Sequence, residues 1–306
     1  MSTEPSSVLF TGLGAMGSPM AEQLAAAGHE LHLHDADPER ARSLARHLGA
    51  SAVDDLSCPP PADLVVLMLP DSTAVEAVLL GGTDRPGLLT RLDRTGLVVD
   101  MGSSQPTSTV AAAERAREHD VQLVDAPVSG GVARARTGDL SIMFGGPEPT
   151  LERIRPLLAA MGTSLVHTGP TGSAHAMKAL NNLLSAIGLV GASEVLSIGS
   201  RFGLDPEVML DVLNHSTGRN HATEVKVARH VLSRAFDSGF PLRLMVKDLR
   251  TALDLAHGTG TGSPLAASCL EECLRASAAL EPDADHTEVA RHVERAAGTE
   301  LRGGHR

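Results

Sequence analysis

Residues 10–20 read Phe-Thr-Gly-Leu-Gly-Ala-Met-Gly-Ser-Pro-Met, directly after the short apolar run Val8-Leu9-Phe10. This is a G-x-G-x-x-G turn placed between a strand and a helix, and it constrains the fold more than any other segment. Gly12 permits the tight turn off the strand, Gly14 lets the backbone approach an anion, and Gly17 lets the following helix pack close to the sheet. The helix N-terminus then points unpaired N–H groups at that anion. Residues Gly12, Leu13, Gly14, Ala15, Met16 and Gly17 are accordingly candidate ligands of a dinucleotide pyrophosphate.

The flanking sequence fits the same unit. A helical stretch from Ser18 to about Ala27 ends at Gly28, and the alternating strand Glu30-Leu31-His32-Leu33-His34 ends at Asp35. A carboxylate in that place accepts hydrogen bonds from the adenosine ribose and repels a 2′-phosphate, so Asp35 predicts NAD rather than NADP. Arg40 and Arg42 follow closely, and we read them as solvent-facing residues of the next helix rather than as phosphate ligands.

Further apolar runs, 64–69, 97–99, 122–126 and 140–144, alternate with helical stretches. Continuous apolar runs suit strands buried on both faces, and the alternation predicts an α/β domain with a Rossmann-type doubly wound sheet. Ligands of such sheets lie beyond the carboxyl ends of the strands. Here those ends read Leu69-Pro70-Asp71, Asp100-Met101-Gly102-Ser103-Ser104 and Ala126-Pro127-Val128-Ser129-Gly130-Gly131. From Ser173 onward the pattern is helical. A first helix to about Arg201 would span roughly 40 Å at its rise per residue. Its Ala, Gly and Ser content predicts a helix buried on most sides rather than a membrane span. Breaks are expected at 203–206, 238–241 and 258–262, and disorder beyond Gly298. The predicted domains are 1–168, dinucleotide-binding, and 169–306, all-helical.

Composition removes several chemistries. The chain of 306 residues has no Trp or Tyr and five Phe, so no catalytic Tyr operates. Lys, His, Cys, Asp and Glu remain as proton carriers. A formal net charge of −11 disfavours nucleic acid and anionic membranes as partners. Cys58, Cys269 and Cys273 form no CxxC pair, and no signal peptide is read at the N-terminus, which together predict a cytoplasmic protein. None of the fourteen histidines falls in a metal-binding spacing, so no metal site is expected.

Two helical constellations are candidates for chemistry. Lys178, Asn181 and Asn182 stand at i, i+3 and i+4, on one face of an otherwise apolar helix. Such a face is costly unless it meets solvent or a ligand; spacing alone leaves both readings open. Phe240 and Lys247 would share a helix face, with Asp248 beside the lysine.

Taken in order, G-L-G-A-M-G-S-P-M at 12–20, D-M-G-S-S-Q-P at 100–106, D-A-P-V-S-G-G at 125–131, K-A-L-N-N at 178–182 and K-D-L at 247–249 resemble the β-hydroxyacid dehydrogenase family. That family includes 3-hydroxyisobutyrate dehydrogenase and tartronate semialdehyde reductase. The resemblance runs over nearly the whole chain and implies a set of roles. Lys178 would be the catalytic acid or base. Ser129, Gly130 and Gly131 would hold the substrate carboxylate, and Asn182 would orient the substrate. Ser103, where many members carry Thr, would contact the nicotinamide side of the cofactor. Leu69 and Pro70 would line the nucleotide site, and Lys247 would reach the cofactor with Asp248 beside it. The implied reaction is NAD-dependent oxidation of a small 3-hydroxy acid to its semialdehyde, or the reverse, in a cleft between the domains of a homodimer or homotetramer. A lysine partly desolvated in such a cleft would have its pKa lowered toward neutrality. Ala174 departs from the Gly of many members. His221 stands where the hydroxyisobutyrate enzymes have Trp, which would weaken the grip on a methyl-bearing substrate. The alternatives are an imine reductase, which usually lacks the lysine and favours NADPH, a 6-phosphogluconate dehydrogenase, and a non-catalytic NAD-binding module. Lys178 and Asp35 argue against the first, the second usually has a longer helical domain, and Lys178 and Asn182 argue against the third.

Overall fold

The computed structural model describes residues 6–82, 86–92 and 96–303. The chain divides into two units, Met1–Lys178 and Ala179–Arg306.

The first unit runs β1 (Ser7–Thr11), α1 (Gly17–Ala26), β2 (Glu30–His34), α2 (Pro38–Leu48), β3 (Ser51–Ala52), β4 (Leu64–Leu67), α3 (Ser72–Leu80), β5 (Leu97–Asp100), α4 (Pro106–Glu118) and β6 (Gln122–Asp125). It continues through β7 (Val128–Ser129), α5 (Gly131–Arg136), β8 (Leu140–Gly145), α6 (Glu148–Met161) and β9 (Gly162–Gly169). The strands form one sheet in the order β3-β2-β1-β4-β5-β6-β8-β7, with β9 also paired to β8. Strands β1 to β6 are all parallel. The chain leaves β1 toward β2 and β3, then returns to its other side at β4. That reversal opens the crevice at the carboxyl ends of β1 and β4 where doubly wound sheets hold ligands.

The apolar runs form strands because both sheet faces are covered. Val8, Phe10, Val66 and Val99 enter one core cluster, while Leu9, Val65, Leu67 and Val98 enter the cluster on the opposite face. Successive side chains alternate as the pleat requires. Local signals set the helix ends. In α2 the Asp37 carboxylate accepts from the N–H groups of Glu39 and Arg40, Pro38 occupies the first turn, and Gly49 closes the helix at φ 67°.

The sheet is mixed rather than wholly parallel. β8 runs antiparallel to β6 and β7 and parallel to β9. The reversal follows from the connection: α5 has six residues, about 9 Å of helix, too short to carry the chain back along the sheet for a parallel return. β9 was not singled out from the sequence, because its burial follows no strict alternation.

In the second unit the elements are the rest of α7 (Ser173–Phe202), then α8 (Pro206–Asn214), a π-helical segment (Ala222–Leu232), α9 (Leu242–Gly258), α10 (Pro264–Ala279) and α11 (Val289–Ala297). Leu189, Met245, Leu249, Cys269 and Cys273 share its main core, so the two neighbouring cysteines are small buried side chains.

Three sequence expectations need correction here. α7 is not buried on most sides: Leu184, Ile198 and Phe202 are 71%, 69% and 84% exposed. Small residues allow close approach without saying which faces are covered. Phe240 does not share a helix face with Lys247, because α9 starts beyond Pro241; its ring instead packs edge-on against His286. The chain beyond Gly298 is packed as far as described. Leu301 is fully buried, donates its N–H to Glu294 and accepts from Arg234, while residues 304–306 lie outside the described residues.

Candidate active site

The glycine turn has little steric freedom at two of its positions and open space at the third. Gly12 has φ 98°, and a Cβ there would stand 2.4 Å from the Met68 carbonyl oxygen. A Cβ on Gly17 would stand 1.8 Å from the Gly12 carbonyl oxygen. Gly14 is exposed, with nothing within 4 Å of where its Cβ would lie. Behind it α1 begins at Gly17 after the N-cap Met16, with no side-chain cap and no acidic residue in its first turn. Open space over a glycine, facing an uncapped helix N-terminus, fits a pyrophosphate that supplies both acceptor oxygens and negative charge.

Asp35 stands beside this cradle. One carboxylate oxygen accepts the Leu13 N–H at 2.7 Å; the other accepts the Asp37 N–H at 2.8 Å and an Arg40 guanidinium N–H at 2.9 Å. Arg42 belongs to the surface, bonded to Glu39 and Asp54. Arg40 is exposed, as its place on α2 predicts, but its guanidinium also reaches back to Asp35, a contact that helix periodicity could not show. Asp35→Ala is expected to lower the NAD over NADP ratio of kcat/KM by roughly tenfold to a hundredfold, the worth of one or two charge-assisted hydrogen bonds. Steady-state kinetics with both cofactors checks this, and an unchanged ratio would place selectivity elsewhere.

The other strand ends crowd around the same crevice. A Cβ on Gly102 would meet the Leu69 carbonyl oxygen at 2.4 Å, and one on Gly12 would meet a Leu69 methyl at 3.0 Å. Leu69 is therefore wedged between the ends of β1 and β5. Pro70 is exposed, and Ser103 is half-buried on the loop after β5. After β7, Gly130 and Gly131 have φ values of 133° and 70°, and nothing lies within 4 Å of a Cβ on Gly131. Two successive glycines at positive φ leave backbone N–H groups open to an anion. The Lys178 amine donates to the Val128 carbonyl at 2.8 Å, which brings it to the residue preceding Ser129. Sequence separated these segments by about fifty residues; the fold joins them.

In the second unit Asn182 is buried on α7 and donates its amide to the Asp248 carboxylate at 2.6 Å. Asp248 is 4% exposed and its other oxygen lies 3.5 Å from the Lys247 amine. The lysine offsets the buried charge, and the carboxylate fixes which way the Asn182 amide faces. His221 is exposed just before the π-helical segment, and partial burial and Lys226 hold its pKa below the usual value against Glu224.

Lys226 escaped the sequence reading, since one lysine in an amphipathic stretch carries no local signal. Its amine donates to the Ser185 hydroxyl at 2.8 Å, and burial pulls its pKa down to about 8 against the attraction of Asp285. The folded state therefore releases this proton before the unfolded chain does, whose amine titrates near 10.4. The cost of burying the charge is fully present at neutral pH, and stability rises as pH climbs from about 8 toward the unfolded value. Lys226→Met should raise Tm at neutral pH and abolish that rise. Melts of both proteins across this window check it; an identical pH dependence would count against burial as the cause.

A mostly parallel sheet with a glycine cradle at its switch point, an acid after β2 and a lysine beside a Ser-Gly-Gly turn defines a nicotinamide-dependent oxidoreductase. Residues 7–169 match the family described as NAD binding domain of 6-phosphogluconate dehydrogenase, and residues 172–293 that described as NAD-binding of NADP-dependent 3-hydroxyisobutyrate dehydrogenase. The chain is 37% identical to 3-hydroxyisobutyrate dehydrogenase of Pseudomonas aeruginosa, over 85% of this chain and 88% of that one. It is 34% identical to 2-hydroxy-3-oxopropionate reductase of Escherichia coli, over 95% and 98%. The structure of Mycobacterium tuberculosis 3-hydroxyisobutyrate dehydrogenase with L-serine superposes with a TM-score of 0.84 at 29% identity, covering 95% of this chain and 99% of that one. The chain belongs to the β-hydroxyacid dehydrogenase family.

Proposed function

We propose that this enzyme oxidises a small 3-hydroxy acid to its semialdehyde with NAD, or reduces the semialdehyde, with Lys178 as the proton carrier. The observation that carries this reading is the 2.8 Å bond from the Lys178 amine to the Val128 carbonyl, beside Ser129-Gly130-Gly131. Bound NAD supplies the hydride acceptor. Gly12 to Gly17 and the N-terminus of α1 would hold its pyrophosphate, Asp35 its ribose, and Leu69, Pro70, Ser103 and Lys247 would contact its remaining surface. The Ser129-Gly130-Gly131 turn binds the substrate carboxylate, and Asn182, set by Asp248, orients the substrate. Lys178 would take the hydroxyl proton in oxidation and return it to the carbonyl oxygen in reduction. His221, polar where the hydroxyisobutyrate enzymes have Trp, would disfavour a methyl-bearing substituent.

We assign the NAD-binding role to residues 1–168 and substrate binding and assembly to residues 169–306. The exposed Leu184, Ile198 and Phe202 on α7 support a homodimer or homotetramer, since a second copy would cover them. The cysteine usage supports a cytoplasmic location. Reduced-nicotinamide absorbance tests the reaction, with NAD and a panel of 3-hydroxyisobutyrate, L-serine, D-glycerate and 2-(hydroxymethyl)glutarate. Turnover of at least one member is expected. Tight cofactor binding with no turnover of any would favour the binding-module alternative.

A further inference from the structure

Beneath the proposed site lies a cluster of buried polar groups with no role in the reaction described so far. Asp100 ends β5, Asp125 ends β6, and the two are register partners on adjacent strands. His175 sits in the first turn of α7. Their exposures are 1%, 0% and 1%. One oxygen of Asp125 accepts the Gly172 N–H at 2.6 Å, and the other accepts the His175 N–H at 2.9 Å, so this carboxylate caps α7. Asp100 accepts from the Gly102 N–H at 2.9 Å and the Ser104 hydroxyl at 2.7 Å. The His175 Nδ1 lies 2.8 Å from the Thr109 hydroxyl on α4, which itself donates to the Gln105 carbonyl. The His175 tautomer sets which of the ring and the Thr109 hydroxyl is the donor. Nδ1 is also 3.7 Å from Asp125, while Nε2 is 3.9 Å from Asp100 and has no hydrogen-bond partner among the described residues.

This arrangement is expensive. Burial pushes the Asp125 carboxyl above its usual range, the Asp100 charge adds to that, and His175 with the two capping N–H groups opposes it. Apolar residues of similar volume often stabilise a core as well or better than such a cluster, so stability does not account for it. Its position does. Asp100 lies three residues before Ser103, Asp125 four before Ser129, and His175 three before Lys178. Each member of the cluster belongs to a segment that carries one of the proposed site residues. His175 and Lys178 are one turn apart on the same helix.

We propose that His175, held between Asp125, Asp100 and Thr109, is a positioning residue that sets where the Lys178 amine stands against the Val128 carbonyl and the Ser-Gly-Gly turn. The inference rests on Lys178 being the proton carrier. A displacement of about 1 Å in a reacting group can cost on the order of a hundredfold in rate, and in the first turn of α7 the His175 ring reaches Thr109 on α4, whereas Ser173 bonds Thr168.

The test compares His175→Ala, His175→Gln, Thr109→Val and Lys178→Ala in the full-length enzyme, with the panel acid that gives the highest kcat/KM. His175→Ala should lower kcat by roughly tenfold to a hundredfold, leave KM and NADH affinity close to wild type, and shift the pH at which kcat falls in acid. His175→Gln, whose amide can still hydrogen-bond to Thr109, should restore most of kcat and the original pH profile. Thr109→Val should change kcat and the profile in the same direction by less. A lower Tm with unaltered kcat and pH profile in His175→Ala would overturn the proposal and leave a purely structural cluster. Should His175→Ala not fold, an unaltered kcat and profile in Thr109→Val overturns it. Normal turnover by Lys178→Ala defeats the parent reading instead. Loss of turnover in that variant, with His175→Ala and Thr109→Val unaffected, defeats only this inference.

Discussion

Lys178→Ala is expected to lower kcat by roughly a hundredfold to ten-thousandfold, the usual contribution of a positioned acid or base, while NADH affinity stays close to wild type. The split follows from the geometry. The amine bonds to the Val128 carbonyl beside the Ser-Gly-Gly turn, whereas the proposed pyrophosphate cradle is the glycine turn from Gly12 to Gly17 and the start of α1. Removing the amine leaves that cradle untouched. Stopped-flow or steady-state rates with any turned-over acid, alongside NADH fluorescence titration, separate the two quantities. Near-normal kcat would remove Lys178 from the chemistry; lost NADH affinity would show it serving the cofactor.

A second large effect is expected within the glycine turn, and it distinguishes glycines needed for packing from one needed for the ligand. A methyl on Gly17 would stand 1.8 Å from the Gly12 carbonyl oxygen, and a backbone atom there cannot swing aside as a side chain would. Gly17→Ala should therefore cost about 3 kcal/mol or more and lower Tm by several degrees. Gly14→Ala meets nothing within 4 Å, so its Tm should stay close to wild type. Its methyl enters the space assigned to the pyrophosphate, however, and NADH affinity should fall. Thermal melts and NADH titrations of the two variants check both halves. Equal effects on Tm would show that steric crowding is not what selects glycine at residue 17, and unimpaired NADH affinity in Gly14→Ala would move the phosphates away from this turn.

Gly17 and Gly14 show why some of the site is legible in the chain itself. A turn that must adopt positive φ at Gly12, or let a helix touch a strand, leaves only glycine as an option, so the residue type reports the geometry directly. The same holds for the apolar strands, for Asp37-Pro38 opening α2 and Gly49 closing it, and for the Pro and Gly residues that separate the later helices. Lys178 and Asn182 were legible as a polar stripe on an apolar helix. Their neighbours were not: nothing in the sequence joins Asn182 to Asp248, sixty-six residues away, or Lys178 to Val128, fifty residues away.

By itself, then, the sequence determined most of the elements, the glycine turn after β1, the acid after β2 and the residue types able to move a proton. Each of these depends on local sterics or on periodicity within one element. Only the tertiary structure decided that Arg40 turns back to Asp35, that β8 reverses in the sheet, that α7 exposes an apolar stripe, and that Asp100, Asp125 and His175 meet under the Lys178 helix. Periodicity identifies the face a side chain occupies but carries no information about what is packed opposite. Contacts between distant segments are set by how whole elements fill space together.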